Sequence, residues 1–296
     1  MRLDTNAFLT PVLLKAPLRR RVRELHGLPE TLARAGALEL KLAVTKKEIR
    51  RAQRLRYKVF FEDGGAVADP VSRLKRRDVC PFDRVCDHLL VVDHAARDRL
   101  GRSKPRVVGA YRLLRDDAAA GRCGFYSAQE YDLAPLLARH ADKRFLELGR
   151  SCVLPAYRAK RVIELLWRGV WTYVRHHRID VMIGCASFPG ADASRHAAAL
   201  AFLRAHAPTP EAWRAAANPA WAAPRCEAPA TLDARRALAG LPPLIKAYLR
   251  VGARFADEAV LDRAFDTTDV LVVMPVAEID PRYVEHFGGA SEPLAA

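Results

Sequence analysis

No apolar run in the 296 residues approaches the roughly 20 needed to cross a bilayer. The opening stretch, MRLDTNAFLTPVLLKAPLRRRVREL, lacks an uninterrupted apolar core followed by a small-residue cleavage site. A cytoplasmic location is therefore the expectation. Cysteine is scarce and scattered, at positions 80, 86, 123, 152, 185 and 226, with no CxxC pair. That spacing argues against a disulfide framework and a structural metal, and no bound metal is expected. No repeat is visible, and no Ser-His-Asp order stands out. Acidic residues fall short of basic ones, 34 against 49, leaving a net charge of +15. Nucleic acid is the first partner such a charge suggests, but the chain carries no C2H2, RNP or helix-turn-helix pattern and its basic residues are spread out. No nucleic-acid partner is expected.

What is present is a chain with half its residues hydrophobic, long enough to bury a full core. Residues 1–36 read as a basic leader interrupted by prolines, and 37–296 as one domain. Strands are expected at 38–45, 88–94, 106–115, 144–153, 180–187, 254–261 and 268–276. Helices are expected from 46 to about the Gly64-Gly65 pair, at 127–140 with Ser127 as N-cap, at 158–177 and at 243–252. Residues 188–240, rich in Ala and Pro, read as a helical insertion. Gly109, inside a strand, suggests a bulge or a close backbone approach. The alternation gives an α/β (α+β) fold, a mixed central sheet with helices on both faces.

The stretch RFLELGRSCVLPAYRAKR (144–161) carries the chemistry. Glu147 sits where a packing residue belongs, and a carboxylate in an apolar strand is either half of an ion pair or a base whose pKa desolvation raises. Pro155 ends the strand, and the helix start that follows offers free N–H groups beside Arg158, Lys160 and Arg161, a setting suited to a phosphate.

The motifs LELGRSCVLPAYR, LLWRGVWTYV and DVMIGCASFPG resemble the acyl-carrier-protein-dependent N-acyltransferases that make lyso-ornithine lipid. So do LRYKVFFEDGGA, CDHLLVVD, VVGAYRLLR, FYSAQEYDL, LPPLIKAYLRVGA and FDTTDVLVVMPV, in order over roughly residues 38 to 288. That family belongs to the GNAT-like acyltransferases and is similar to acyl-homoserine-lactone synthases. The resemblance implies a GNAT-like fold and transfer of a 3-hydroxyacyl group from acyl carrier protein to the α-amine of L-ornithine, with no bound cofactor. It assigns Glu147 and Arg150 to catalysis, with Arg56, Asp83, Asp87 and Arg112 at the substrate. Backbone N–H groups around Cys152 and Val153 are expected to polarise the thioester. Arg158, Lys160, Arg161 and Arg168 are expected to receive the phosphopantetheine arm and its acidic carrier, and the positive charge to favour peripheral contact with an anionic membrane. Two departures matter. Gly149 stands where lactone synthases often have serine, and 156–163 lacks the paired glycines of a coenzyme A loop. A lactone synthase or an N-acyltransferase for another amino acid is the alternative reading.

Overall fold

The computed structural model describes residues 21–98, 100–158, 160–226 and 233–283; the Lys160 side chain lies outside the described set. Strands β1 (Thr31–Ala35), β2 (Leu38–Leu42), β3 (Asp87–Asp93) and β4 (Arg106–Arg115) begin the sheet as an antiparallel meander. A two-residue strand, β5 (Tyr131–Asp132), precedes β6 (Phe145–Val153) and β7 (Val181–Pro189). A second short strand, β8 (Ala216–Ala217), pairs with β5, and β9 (Arg254–Asp262) and β10 (Thr267–Pro275) follow. The eight strands of the main sheet run in the order β1-β2-β3-β4-β6-β7-β10-β9, and among the described strands β6–β7 is the one parallel pair.

Helix α1 (Lys46–Tyr57) begins with a capping box, in which Thr45 and Glu48 satisfy each other's backbone N–H, and ends in a wide π turn, Lys58–Glu62. Helices α2 (Pro70–Lys75), α3 (Asp116–Ala119) and α4 (Ala134–Arg139) are short. The long α5 (Lys160–His177) is followed by α6 (Ala197–His206), α7 (Ala234–Gly240) and α8 (Pro243–Arg250). None of the described helices is long and apolar enough to cross a membrane. Alternation sorts the sheet's side chains: Leu89 and Tyr111 face α5 and α8, while His88 and Arg112 face α1. Gly109 is a close approach, since a Cβ there would lie 3.0 Å from Val162 Cγ1 of α5.

Three sequence expectations change. Residues 126–129 form a 3-10 turn rather than the start of a helix, because the Ser127 hydroxyl and amide are engaged by Glu147 instead of capping. The stretch read as a leader contributes β1, and Leu28 is buried in the core; residues 1–20 lie outside the described set. The stretch 188–240 is more than an excursion. Leu200, Phe202 and Leu203 of α6 join the main core, and Pro208 and Ala222 bridge to β9, covering an otherwise open edge.

Candidate active site

β6 and β7 pair at just three positions, Phe145↔Val181, Leu146↔Met182 and Glu147↔Ile183. At the next residue Gly184 takes φ +156°, and a Cβ there would stand 2.3 Å from the Leu148 carbonyl oxygen. Beyond this contact β6 bonds to β4 and β7 to β10, and the two strands part. A cavity of about 330 Å³ fills the wedge. Its walls include Leu148–Ser151 from β6 and Cys185 and Ser187 from β7, with Phe60 from the π turn and Phe265 from the β9–β10 turn. These rings meet edge to face at 5.7 Å.

Glu147 is buried on the cavity wall. Its Oε2 accepts from the Tyr126 amide at 2.7 Å, and its Oε1 from the Ser127 amide and hydroxyl, both at 2.6 Å. The carboxylate, though on an apolar strand, is therefore met by a ring of donors. Arg150 adopts φ +52°, where two β6 residues, 150 and 151, oppose Tyr111 alone between the pairs Arg112↔Gly149 and Ala110↔Cys152. This bulge turns Arg150 and Ser151 toward the cavity. The Arg150 guanidinium stacks on Tyr126 (4.6 Å) and Phe265 (4.2 Å), donates to the Tyr126 hydroxyl at 3.1 Å, and lies 3.4 Å from Asp78.

The other expected residues divide. Arg112 reaches the cavity wall, held over the Tyr126 ring at 5.1 Å. Arg56 and Asp83 do not. Both are buried in an ion network in which Arg56 binds Asp78 and Asp83 at 2.7 Å each, and Gln53 adds a bond to Asp83 at 2.8 Å. The adjoining guanidinium of Arg56 holds the Asp83 carboxyl well below its ordinary range against the desolvation that would raise it. His88 abuts the same network, and burial lowers its pKa to about 4, as suits a neutral structural histidine. Asp87 lies elsewhere, paired with Arg115 at 3.2 Å and with the Tyr173 hydroxyl at 2.6 Å. Cys152 and Val153 have returned to regular pairing with Ala110 and Gly109, so the irregular backbone lies two residues before the amides expected to polarise the thioester. Burial pushes the Cys152 thiol to about 12, which fits packing rather than attack. Arg158 is exposed beside the end of β6, its Nε donating to the Val153 carbonyl at 3.3 Å. Arg161 is exposed and Arg168 half-buried, both on α5.

Sequence reading missed three buried acidic residues on the cavity wall. Glu130 follows the 126–129 turn, Asp262 ends β9 and Asp269 lies in β10, and one carboxylate oxygen from each lies within 4.8 Å of the others. They are 1%, 3% and 6% exposed. Burial, with Asp269 beside it, raises Glu130 to about 8; burial raises Asp269 to about 6, and nearby Asp262 adds to the shift. The signal was available for Asp269, a carboxylate inside the apolar run TTDVLVVMP, the same pattern that drew attention to Glu147.

A mixed sheet whose one parallel pair parts over a cavity defines an acyltransferase of the GNAT type, and residues 55–168 match the family model described as an acetyltransferase (GNAT) domain. The L-ornithine N(alpha)-acyltransferase of Agrobacterium fabrum is 50% identical over 260 residues, covering 88% of each chain. That of Rhizobium meliloti is 46% identical over 260 residues, covering 88% of this chain and 87% of its own. The chain belongs to the L-ornithine N(alpha)-acyltransferase family. Among solved structures, an N-acyl amino acid synthase from uncultured soil microbes superposes with a TM-score of 0.46 at 11% identity, over 82% of this chain and 93% of that one.

Proposed function

We propose that this chain transfers a 3-hydroxyacyl group from acyl carrier protein to the α-amine of L-ornithine, giving lyso-ornithine lipid. The carrying observation is the carboxylate-walled cavity at the parting of β6 and β7, in a chain half-identical to an enzyme named for acylating L-ornithine at N(alpha). The amine attacks the thioester carbonyl, the N–C bond forms, the C–S bond breaks, and the carrier's thiol leaves with a proton. The amine must first lose its own proton, at a cost of ~1.4 kcal/mol for each unit its pKa exceeds the ambient pH.

Glu147 is the base in this reading. A carboxylate offers about four acceptor positions and three are occupied here, so the remaining one takes the proton, directly or through a water. The bulge at Arg150 and Ser151, rather than Cys152 and Val153, supplies backbone N–H groups for the developing oxyanion. Arg112 and Arg150 receive the amino acid's carboxylate. Arg56 and Asp83 hold α1 against the sheet from behind.

The carrier docks over the β6–α5 turn, where exposed Arg158 and Arg161 meet its acidic surface, with Arg168 two turns further along α5; Lys160, given the same role, has its side chain outside the described set. Contact with an anionic bilayer involves the region of α2, where Val67, Val71 and Leu74 are exposed beside Arg73, Lys75 and Arg76. A single assay tests the reaction: 3-hydroxyacyl carrier protein is offered with ornithine or with S-adenosylmethionine, and products are identified by mass spectrometry. The expected product is mono-acylated ornithine, strongly reduced with Glu147→Gln. Lactone formation instead would replace this reading with the synthase alternative.

A further inference from the structure

We propose that Glu130, Asp262 and Asp269 form a receptor for the side-chain ammonium of the acceptor, so that the cavity selects a diamino acid and leaves its α-amine toward Glu147. This deepens the proposed function and rests on it for the identity of the acceptor.

Three observations carry the assignment. The first is satisfaction. Asp262 Oδ1 is occupied structurally, accepting from the Ala264 and Phe265 amides at 2.9 Å each to shape the β9–β10 turn. Glu130 Oε2 and Asp269 Oδ1 differ, because both are buried on the cavity wall without a well-aligned hydrogen-bond partner among the described residues, although the Cys185 thiol adjoins Glu130 and the Thr267 and Ser187 hydroxyls adjoin Asp269. Buried carboxylate oxygens left unpaired are costly, and three carboxyls gathered together add mutual repulsion. Without a cation the cluster relieves that repulsion by keeping a proton on Glu130, and an ammonium seated there would take the proton's place. Arg150 is the charged neighbour that eases Glu130 and Asp269, but its ion pair is with Asp78 and, among the described residues, none joins it to either carboxylate.

The second observation is geometry. An ammonium donates three bonds in tetrahedral directions, so acceptors about 2.8 Å from its nitrogen stand roughly 4.6 Å apart. The three oxygens lie no more than 4.8 Å from one another, close to that span. The third is charge. The protein carries +15, yet this cavity sets Glu130, Glu147, Asp262, Asp266 and Asp269 against Arg112 and Arg150. An acidic hole in a basic protein fits a ligand with more positive charge than negative, as ornithine has.

The Tyr126–Gln129 turn links the two ends of the acceptor. Glu147 holds its first amides and Glu130 is its next residue, so receptor and base share one short piece of backbone.

The test uses the full-length protein and compares L-ornithine with L-norvaline, the same carbon skeleton without the side-chain amine. Turnover with 3-hydroxyacyl carrier protein and calorimetric binding of each amino acid are measured for wild type, Glu130→Gln and Asp269→Asn. Wild type should prefer ornithine, and each variant should lower the ornithine-to-norvaline ratio of kcat/KM by about tenfold or more, the usual cost of unpairing a buried charge. An unchanged ratio in folded variants overturns the receptor, as does a wild type that treats the two amino acids alike, a result needing no variant. If wild type turns over no amino acid, the acyl-transfer reading fails and calorimetry decides the receptor. Ornithine binding lost in Glu130→Gln upholds it, and equal binding, or none to wild type, overturns it. Magnesium or calcium bound more tightly than ornithine, and lost in the same variants, also overturns it in favour of a metal.

Discussion

Glu147 joins two roles, since the carboxylate facing the cavity also fixes the 126–127 amides. Glu147→Gln should cut turnover by about a hundredfold, in the range of a lost general base, and also lower the melting temperature, because an amide NH2 then faces backbone donors. Ser127→Ala separates the two. It removes one hydrogen bond, costs about 1 kcal/mol of stability in a denaturant titration, and should leave most turnover in place. Glu130 gives a pH signature. Its folded pKa of about 8 lies above the ordinary glutamate value, so between about pH 4 and 8 the folded chain holds a proton that the unfolded chain has released. Its contribution to stability is therefore full below that window, is lost as pH rises through it, and levels above 8. Melting curves without amino acid should show this decline and show less of it in Glu130→Gln. At this scale the sequence was readable only in part. A carboxylate inside an apolar strand marked Glu147, yet the same logic could not separate Arg112, on the cavity, from Arg56 and Asp83, locked in an ion network behind it. Charged residues of identical type serve either use, and the choice depends on where a cavity opens.

Among the elements, β6 and β7 matter most, because their three shared pairs and sudden parting create the site. Gly184→Ala would set a methyl 2.3 Å from the Leu148 carbonyl at the last point of contact. The strands must then separate early, and we expect a loss of about 1–3 kcal/mol in stability with a larger fall in turnover, measured by melting and by the carrier-protein assay. The other seven strands of the main sheet and α5 were legible from periodicity because their burial is one-sided or continuous. The 126–129 turn and β1 were not. Ser127 has a good capping residue's chemistry, but a distant carboxylate competes for it, and TLARA is too short and too mixed to announce an edge strand.

For the whole molecule, charge governs encounter. Arg158→Glu at the β6–α5 turn should raise KM for the acyl carrier protein while changing kcat little, and added salt should weaken wild-type kcat/KM over the range where the Debye length shrinks below about 10 Å. Leu74, 86% exposed on α2, should when changed to Glu reduce sedimentation with anionic vesicles. Little change in either measurement would remove that contact from the proposal.

The amino-acid sequence alone determined the kinds and order of seven of the eight main-sheet strands and of α1, α5 and α8, the positive charge and the placing of Glu147 in a strand, because periodicity and composition are local properties. Tertiary structure decided which charges meet. The parting of β6 from β7, the bulge at Arg150 and the convergence of Glu130, Asp262 and Asp269 join residues up to 139 positions apart, counted from Glu130 to Asp269. Such neighbours arise from strand order and register, which no local pattern encodes.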